Sequence, residues 1–166
     1  MMYIALLLIG TGRSSGPSPQ SQTATLQFII PLRVGVYVGN DVTWDFGSIP
    51  TYPPATFPAY YFPTTPVSSP YMNIEYFTNA GAGTNWALTI KGAGDPGGGI
   101  LIGDIEYADA GTNNWTALST SDANLRTGTG RTNGWQTANQ DWQVKMTGDE
   151  EVGTYSTTVT VTMQTL

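Results

Sequence analysis

The chain contains no cysteine and no histidine. Disulfide stapling, thiol catalysis, a Ser–His–Asp triad and the ordinary zinc or haem sites are therefore excluded. Charge is scarce as well: Lys and Arg number 6 and Asp and Glu 12, together 11% of 166 residues, for a net charge of -6. So few cations argue against nucleic acid and against anionic membrane surfaces as partners. No window carries a sustained helical stripe. Glycine, threonine, asparagine and proline fill the chain instead, a composition suited to strands, turns and an extracellular surface. The length is that of one domain with a two-layer core.

What is abundant is alternation. In TATLQFIIPLRVGVYVGNDVTWDF, residues 23–46, the even positions are Ala24, Leu26, Phe28, Ile30, Leu32, Val34, Val36 and Val38. Period-2 patterning marks strands with one buried face. Pro31 has no N–H to give a ladder, so the pattern predicts two strands in line, 24–30 and 32–38, hinged at Pro31. The first either crosses within its own sandwich or leaves to complete a neighbouring subunit. A free apolar strand is an aggregation hazard unless it is covered, and strand addition is a recognised mode of covering one.

Ahead of this run, MMYIALLLIG is too short to span a bilayer, which takes about 20 residues. It matches the apolar part of a secretory signal, or else serves as an apolar tail joined by the polar linker SSGPSPQSQ. The domain division read from the sequence is 1–22 for that tail and linker and 23–166 for a β-sandwich, with 23–30 as the candidate donor strand.

Further strands are predicted in DVTWDFG, in YMNIEYFT and NWALTIK as a hairpin, in DIEYAD, in DWQVKM and in TYSTTVTVTMQTL. Residues 50–70 hold seven of the eleven prolines and read as a stiffened loop without regular sheet. Residues 108–140 read as a polar surface excursion anchored by Trp115, Leu118 and Leu125. The fold expected is all-β: a single antiparallel sandwich of about seven to nine strands, immunoglobulin-like or jelly-roll-like, with an extended N-terminal strand.

Chemistry is sparse. Carboxylates are scattered, and the best pair, Asp104 and Glu106, reads as a solvated sheet face. The glycine-rich GAGDPGGG lacks the lysine and the following helix of a phosphate loop. No catalytic residue, metal site or cofactor is expected. Asn114–Trp115–Thr116 satisfies the glycosylation acceptor pattern at Asn114. Tyr60, Tyr61 and Trp135 are the candidate exposed aromatic contacts.

With the two ends of the chain in view, a family likeness emerges. EEVGTYSTTVTVTMQTL resembles the terminal strand of secreted sandwich modules. The apolar run leading into DVTWDFG resembles the mature N-terminus of donor-strand pili of archaea and bacteria and of TasA-like (camelysin-type) biofilm fibres. The likeness spans about residues 22–47 and 148–166. It implies a subunit of an extracellular filament that polymerises head to tail with copies of itself. Ala24, Leu26, Phe28 and Ile30 would be the inserted strand, and host or neighbouring cell surfaces a second class of partner. The rival readings are a secreted sugar-binding module that stacks on Trp135 and Tyr60–Tyr61, and a viral capsid or tail sandwich.

Overall fold

In the computed structural model, residues 25–166 are described. The chain divides into two units, Met1–Leu32 and Arg33–Leu166, and the run 23–30 falls in the first of them. Ala24 lies outside the described residues.

In the first unit, residues 25–32 carry no strand. This corrects the expected strand 24–30. Alternation selects which face of a strand is buried, but a strand also needs an adjacent edge to take its backbone N–H and C=O groups.

The second unit is all-β, with no α-helix among the described residues. Its strands are β1 (Val34–Val38), β2 (Ala59–Tyr61), β3 (Ile74–Thr78), β4 (Asn85–Gly92), β5 (Ile105–Asp109), β6 (Thr116–Ala117), β7 (Ala123–Thr129), β8 (Gln136–Thr137), β9 (Gln140–Met146) and β10 (Val159–Thr165). Three antiparallel sheets form, in the orders β1-β3-β8, β10-β4-β7 and β2-β9-β5-β6. They share one core. Ile74 and Tyr76 come from the first sheet, Trp86, Leu88, Ile90 and Met163 from the second, and Tyr61, Ile105, Tyr107, Trp142, Val144 and Met146 from the third.

Several local expectations change. YMNIEYFT and NWALTIK do not form a hairpin: β3 pairs with β1 and β8, and β4 pairs with β10 and β7. Trp86 through Ile90 is buried on both faces, so β4 needs a ladder on each edge, and β10 and β7 are the long strands that supply one. The polar stretch 108–140 is not a surface excursion throughout, because it contains β6, β7 and β8. A register shift between Leu88 and Thr89 skips Leu125 in the β4–β7 ladder, and such a bulge breaks the alternation that would have announced β7. Leu118 is buried as expected.

DVTWDFG contributes one bridge, Thr43 to Thr65, before Asp45 Oδ1 accepts from the Gly47 N–H at 3.1 Å and turns the chain into a 3-10 helix, Phe46–Ser48. The proline-rich stretch does hold sheet, since β2 fits between Pro58 and Pro63 and pairs with β9.

Candidate functional site

The site is a seam between two sheet ends. β1 ends one sheet and β10 ends another. They approach within 8 Å between Cα atoms, closer than the ~10 Å that separates sheets packed face to face. No ladder joins them.

Backbone bookkeeping shows what these edges offer. Asn79 N–H donates to the Arg33 carbonyl at 3.2 Å and Gly39 N–H to the Asn73 carbonyl at 2.9 Å. Bonded pairs recur every second residue in an antiparallel ladder. Gly35 and Tyr37 thus bond β3, and Val34, Val36 and Val38 direct their N–H and C=O groups to the opposite edge. On β10, Ala93 N–H donates to the Thr158 carbonyl at 2.9 Å and Leu166 N–H to the Asn85 carbonyl at 2.8 Å. By the same repeat, Val159, Val161, Met163 and Thr165 turn their backbone groups away from β4.

The side chains tell the same story. Val34, Val36 and Val38 stand directly opposite Thr78, Tyr76 and Ile74, and cross-strand partners share a face. Those β3 residues are 0%, 7% and 0% exposed, whereas the three valines are 44%, 39% and 43% exposed. The core face therefore continues onto β1 but loses its cover there. Neither VGVYV nor VTVTMQT carries a charged residue, so the seam is apolar and electrostatically neutral. On the outer face of β1 the Trp135 ring lies over Gly35, where a Cβ would come within 2.8 Å of it, and it meets Phe77 at a centroid distance of 5.9 Å.

Of the residues singled out in the sequence, Leu26, Phe28 and Ile30 are 59%, 65% and 79% exposed, and Pro31 is exposed too. Tyr60 and Trp135 are exposed as expected. Tyr61 is not. It sits on β2 opposite Val144 with its ring in the core, while Tyr60, one residue earlier, faces outward opposite Lys145. The period of two in a strand forces such neighbours to opposite faces. With Tyr61 inside, the three aromatics do not make one stacking platform.

Asn114 is exposed in the turn between β5 and β6, at the rim of a cavity of about 290 Å³ that Thr112, Asn124 and Arg126 also line. The paired carboxylates are occupied. Asp104 accepts from Lys145 Nζ at 3.0 Å and Glu106 from Gln143 Nε2 at 2.5 Å, and the bond from Asp104 raises the Lys145 pKa. Among the described residues no three acidic side chains gather as a metal site would require, and no helix is long and apolar enough to cross a membrane.

Sequence reasoning placed Val34, Val36 and Val38 on a buried face. It did not mark them, or the outward edge of β10, as an acceptor. Fifteen residues of unbroken alternation were the available signal. Compared with this chain, no protein family, no curated protein and no solved structure matches.

Proposed function

We propose that the protein is a structural subunit of an extracellular filament, a pilus or matrix fibre. Each copy inserts its N-terminal strand, centred on Leu26, Phe28 and Ile30, into the β1–β10 seam of the next. The observation that carries this reading is the unfinished core at β1, where three valines stand about 40% exposed beside fully covered neighbours. A donor strand laid along the free edge of β1 would extend the β1-β3-β8 sheet and cover the three valines; pairing with β10 as well takes two ladder spacings of about 4.8 Å, more than the 8 Å that separates these edges, so β1 and β10 would have to part to admit it. The chain itself holds a segment of the required pattern, Leu26, Phe28 and Ile30, which forms no strand of its own. Such contacts are heterologous and open-ended, as a fibre needs.

The energetics balance within a few kcal/mol. Burying three anchors contributes roughly 5–9 kcal/mol, and about seven ladder bonds at about 0.5–1.5 kcal/mol each add to it. Ordering seven residues costs roughly 7–14 kcal/mol. Neither contribution suffices alone, so the inserted segment has to be both apolar and in ladder register.

Negative-stain microscopy of the full chain tests the reading, with filaments as the expected outcome. Deleting residues 1–30 is expected to leave soluble, folded monomers. If that deletion unfolds the domain, the segment completes its own core and the filament reading falls.

A further inference from the structure

Independently of the filament reading, we infer that the protein binds a trimethylammonium group of the choline type. The site is a roof of three aromatic rings over the Asp141 carboxylate, on the outer face of the β2-β9-β5-β6 sheet. The row of residues beneath the roof comes first. On β9, Gln140 bridges to Met72 along one edge, and Asp141 pairs with Ala108 of β5 along the other. One step along the first bridge sets Tyr71 beside Asp141, and one step on from the Tyr107–Thr116 pair sets Trp115 beside Ala108. Cross-strand partners share a face. Trp115, Ala108, Asp141 and Tyr71 therefore make one row across the sheet, on the face opposite the core residues Tyr107 and Trp142.

An outer sheet face is normally wet, but this row is shut: Asp141 is 6% exposed and Ala108 2%. The cover at hand is aromatic. Phe62 follows β2 along the same edge of β9 that Met72 bridges. Its ring stacks on Tyr71 at a centroid distance of 6.0 Å and an interplanar angle of 13°, and meets Trp115 at 6.0 Å and 46°. Gly111 N–H donates to Asp141 Oδ2 at 2.9 Å and so ties the loop that carries Trp115 to the carboxylate. The other oxygen, Oδ1, is buried and has no hydrogen-bond partner among the described residues. Burial, and after it the Asp141 carboxylate, raise the Tyr71 hydroxyl above its ordinary value, which agrees with a carboxylate close by.

A buried carboxylate oxygen without a donor is destabilising and calls for an explanation. Lys91, Arg126 and Lys145 are bonded to Asp122, Asp109 and Asp104, so none of these ion pairs serves Asp141. What the site lacks is a cation, and its geometry selects the kind. Oδ1 is closed to solvent, so a primary ammonium or a guanidinium, each of which needs acceptors in place of its water, would gain none there. A trimethylammonium group has no N–H to satisfy. It is held through ring faces, whose negative quadrupole and the carboxylate behind them attract it together. Phe62, 53% exposed, presents the roof to solvent, and the net charge of -6 draws cations to the surface at longer range.

Isothermal titration of the full chain with choline chloride tests the inference. The control is dimethylbutanol, in which carbon replaces the charged nitrogen of choline. Saturable binding of choline is expected, about tenfold or more tighter than that of the control. Phe62→Leu keeps an apolar cover but removes a ring face, and is expected to weaken choline binding about tenfold with little change in melting temperature. Asp141→Asn keeps an acceptor for the Gly111 N–H and removes the charge. It is expected to weaken choline binding by a similar factor and to leave the fold at least as stable, because an unpaired buried charge is gone. No saturable binding of choline, equal affinity for the neutral control, or full affinity in either variant overturns the inference. Phe62→Leu decides the matter alone if Asp141→Asn does not fold. Each of these outcomes leaves the filament reading in place, since this site lies on the third sheet and the seam between the other two.

Discussion

β9 and β1 invert the usual relation between sequence and burial. β9 reads QDWQVKM and carries three uncharged or acidic polar residues, yet Gln140, Asp141 and Gln143 are all buried. Each has a partner there: Gln140 Nε2 donates to Asp109 Oδ1 at 2.9 Å, Asp141 Oδ2 accepts from Gly111 N–H at 2.9 Å, and Gln143 bonds Glu106. β1 reads VGVYV and stands largely exposed. The difference is position. β9 lies between β2 and β5 and is covered on both faces, and the burial of its polar side chains is offset by these hydrogen bonds, although Asp141 Oδ1 and Trp142 Nε1 have no partner among the described residues. β1 ends its sheet, and nothing in its own composition protects it, with no lysine, no proline and no bulge of the kinds that blunt edges. An edge left in that state is suited to being occupied.

The sharpest way to break this comparison uses the cross-strand pair Ile74 and Val38, which share a face but differ from 0% to 43% in exposure. In the chain lacking residues 1–30, Ile74→Ala is expected to cost about 2–5 kcal/mol, as for a fully buried aliphatic side chain. Val38→Ala in the same background is expected to cost less than about 1 kcal/mol. Urea denaturation measures both. Equal losses would mean that β1 is already sealed in the monomer and that no acceptor face exists.

A second edge gives the contrast from the other side. β7 also ends a sheet, but there the core is closed, because Trp86 packs against Gly128 and a Cβ at that glycine would lie 2.3 Å from the ring. Trp86 is 8% exposed and has little room to retreat. Gly128→Ala is expected to destabilise by about 1–3 kcal/mol through overpacking, with a change in tryptophan emission. Adding a methyl to an edge strand that had no such cover would cost nothing measurable.

How much of this was legible in the sequence follows from the same physics. The all-β class, the inward Trp142, Val144 and Met146 and the exposure of Trp135 come from alternation and flanking turns, which are local. Pairing is not local. That β4 would choose β10 and β7 over β3 depends on edges made by residues about thirty to eighty positions away. β7 was hidden because its bulge spoils the period, and β2 because prolines on either side obscure three pairing residues. The candidate seam was half legible. The valines were readable as a core face, but that their cover stops at β1 required knowing which strand ends the sheet.

Val36→Thr sharpens the comparison further, because it keeps the shape and adds a hydroxyl. At a side chain 39% exposed the monomer is expected to lose no more than about 0.5 kcal/mol. In an assembled filament the same hydroxyl would be buried without an assured partner, an unfavourable change of about 1–3 kcal/mol. A raised critical concentration for assembly, beside an unchanged monomer melting curve, is the expected result. Loss of monomer stability with no effect on assembly would place the β1 face inside the monomer's core instead.

The smallest effect expected belongs to a turn remote in chemistry from the seam, and it sets the floor against which the others are judged. Glu150 accepts from Thr147 N–H at 2.5 Å, Thr147 Oγ1 at 3.0 Å and Gly148 N–H at 2.9 Å. Burial pushes its carboxyl up, but the N–H groups of Thr147 and Gly148 and the Thr147 hydroxyl outweigh that and hold it below the ordinary glutamate range. A folded-state value below the unfolded one means that the ionised form stabilises the fold. That contribution is fully present above the unfolded value, near pH 4.5, and is lost as pH falls through the folded value. Glu150→Gln is therefore expected to lower the melting temperature slightly at pH 7 and to make no difference in strong acid, once the native carboxyl is protonated too. The seam, which has no charged side chain, is expected to show no such dependence. Val36→Thr should then raise the critical concentration by the same factor at pH 5 and at pH 8, and a factor that changed between them would mean that a titrating group reaches the donor strand.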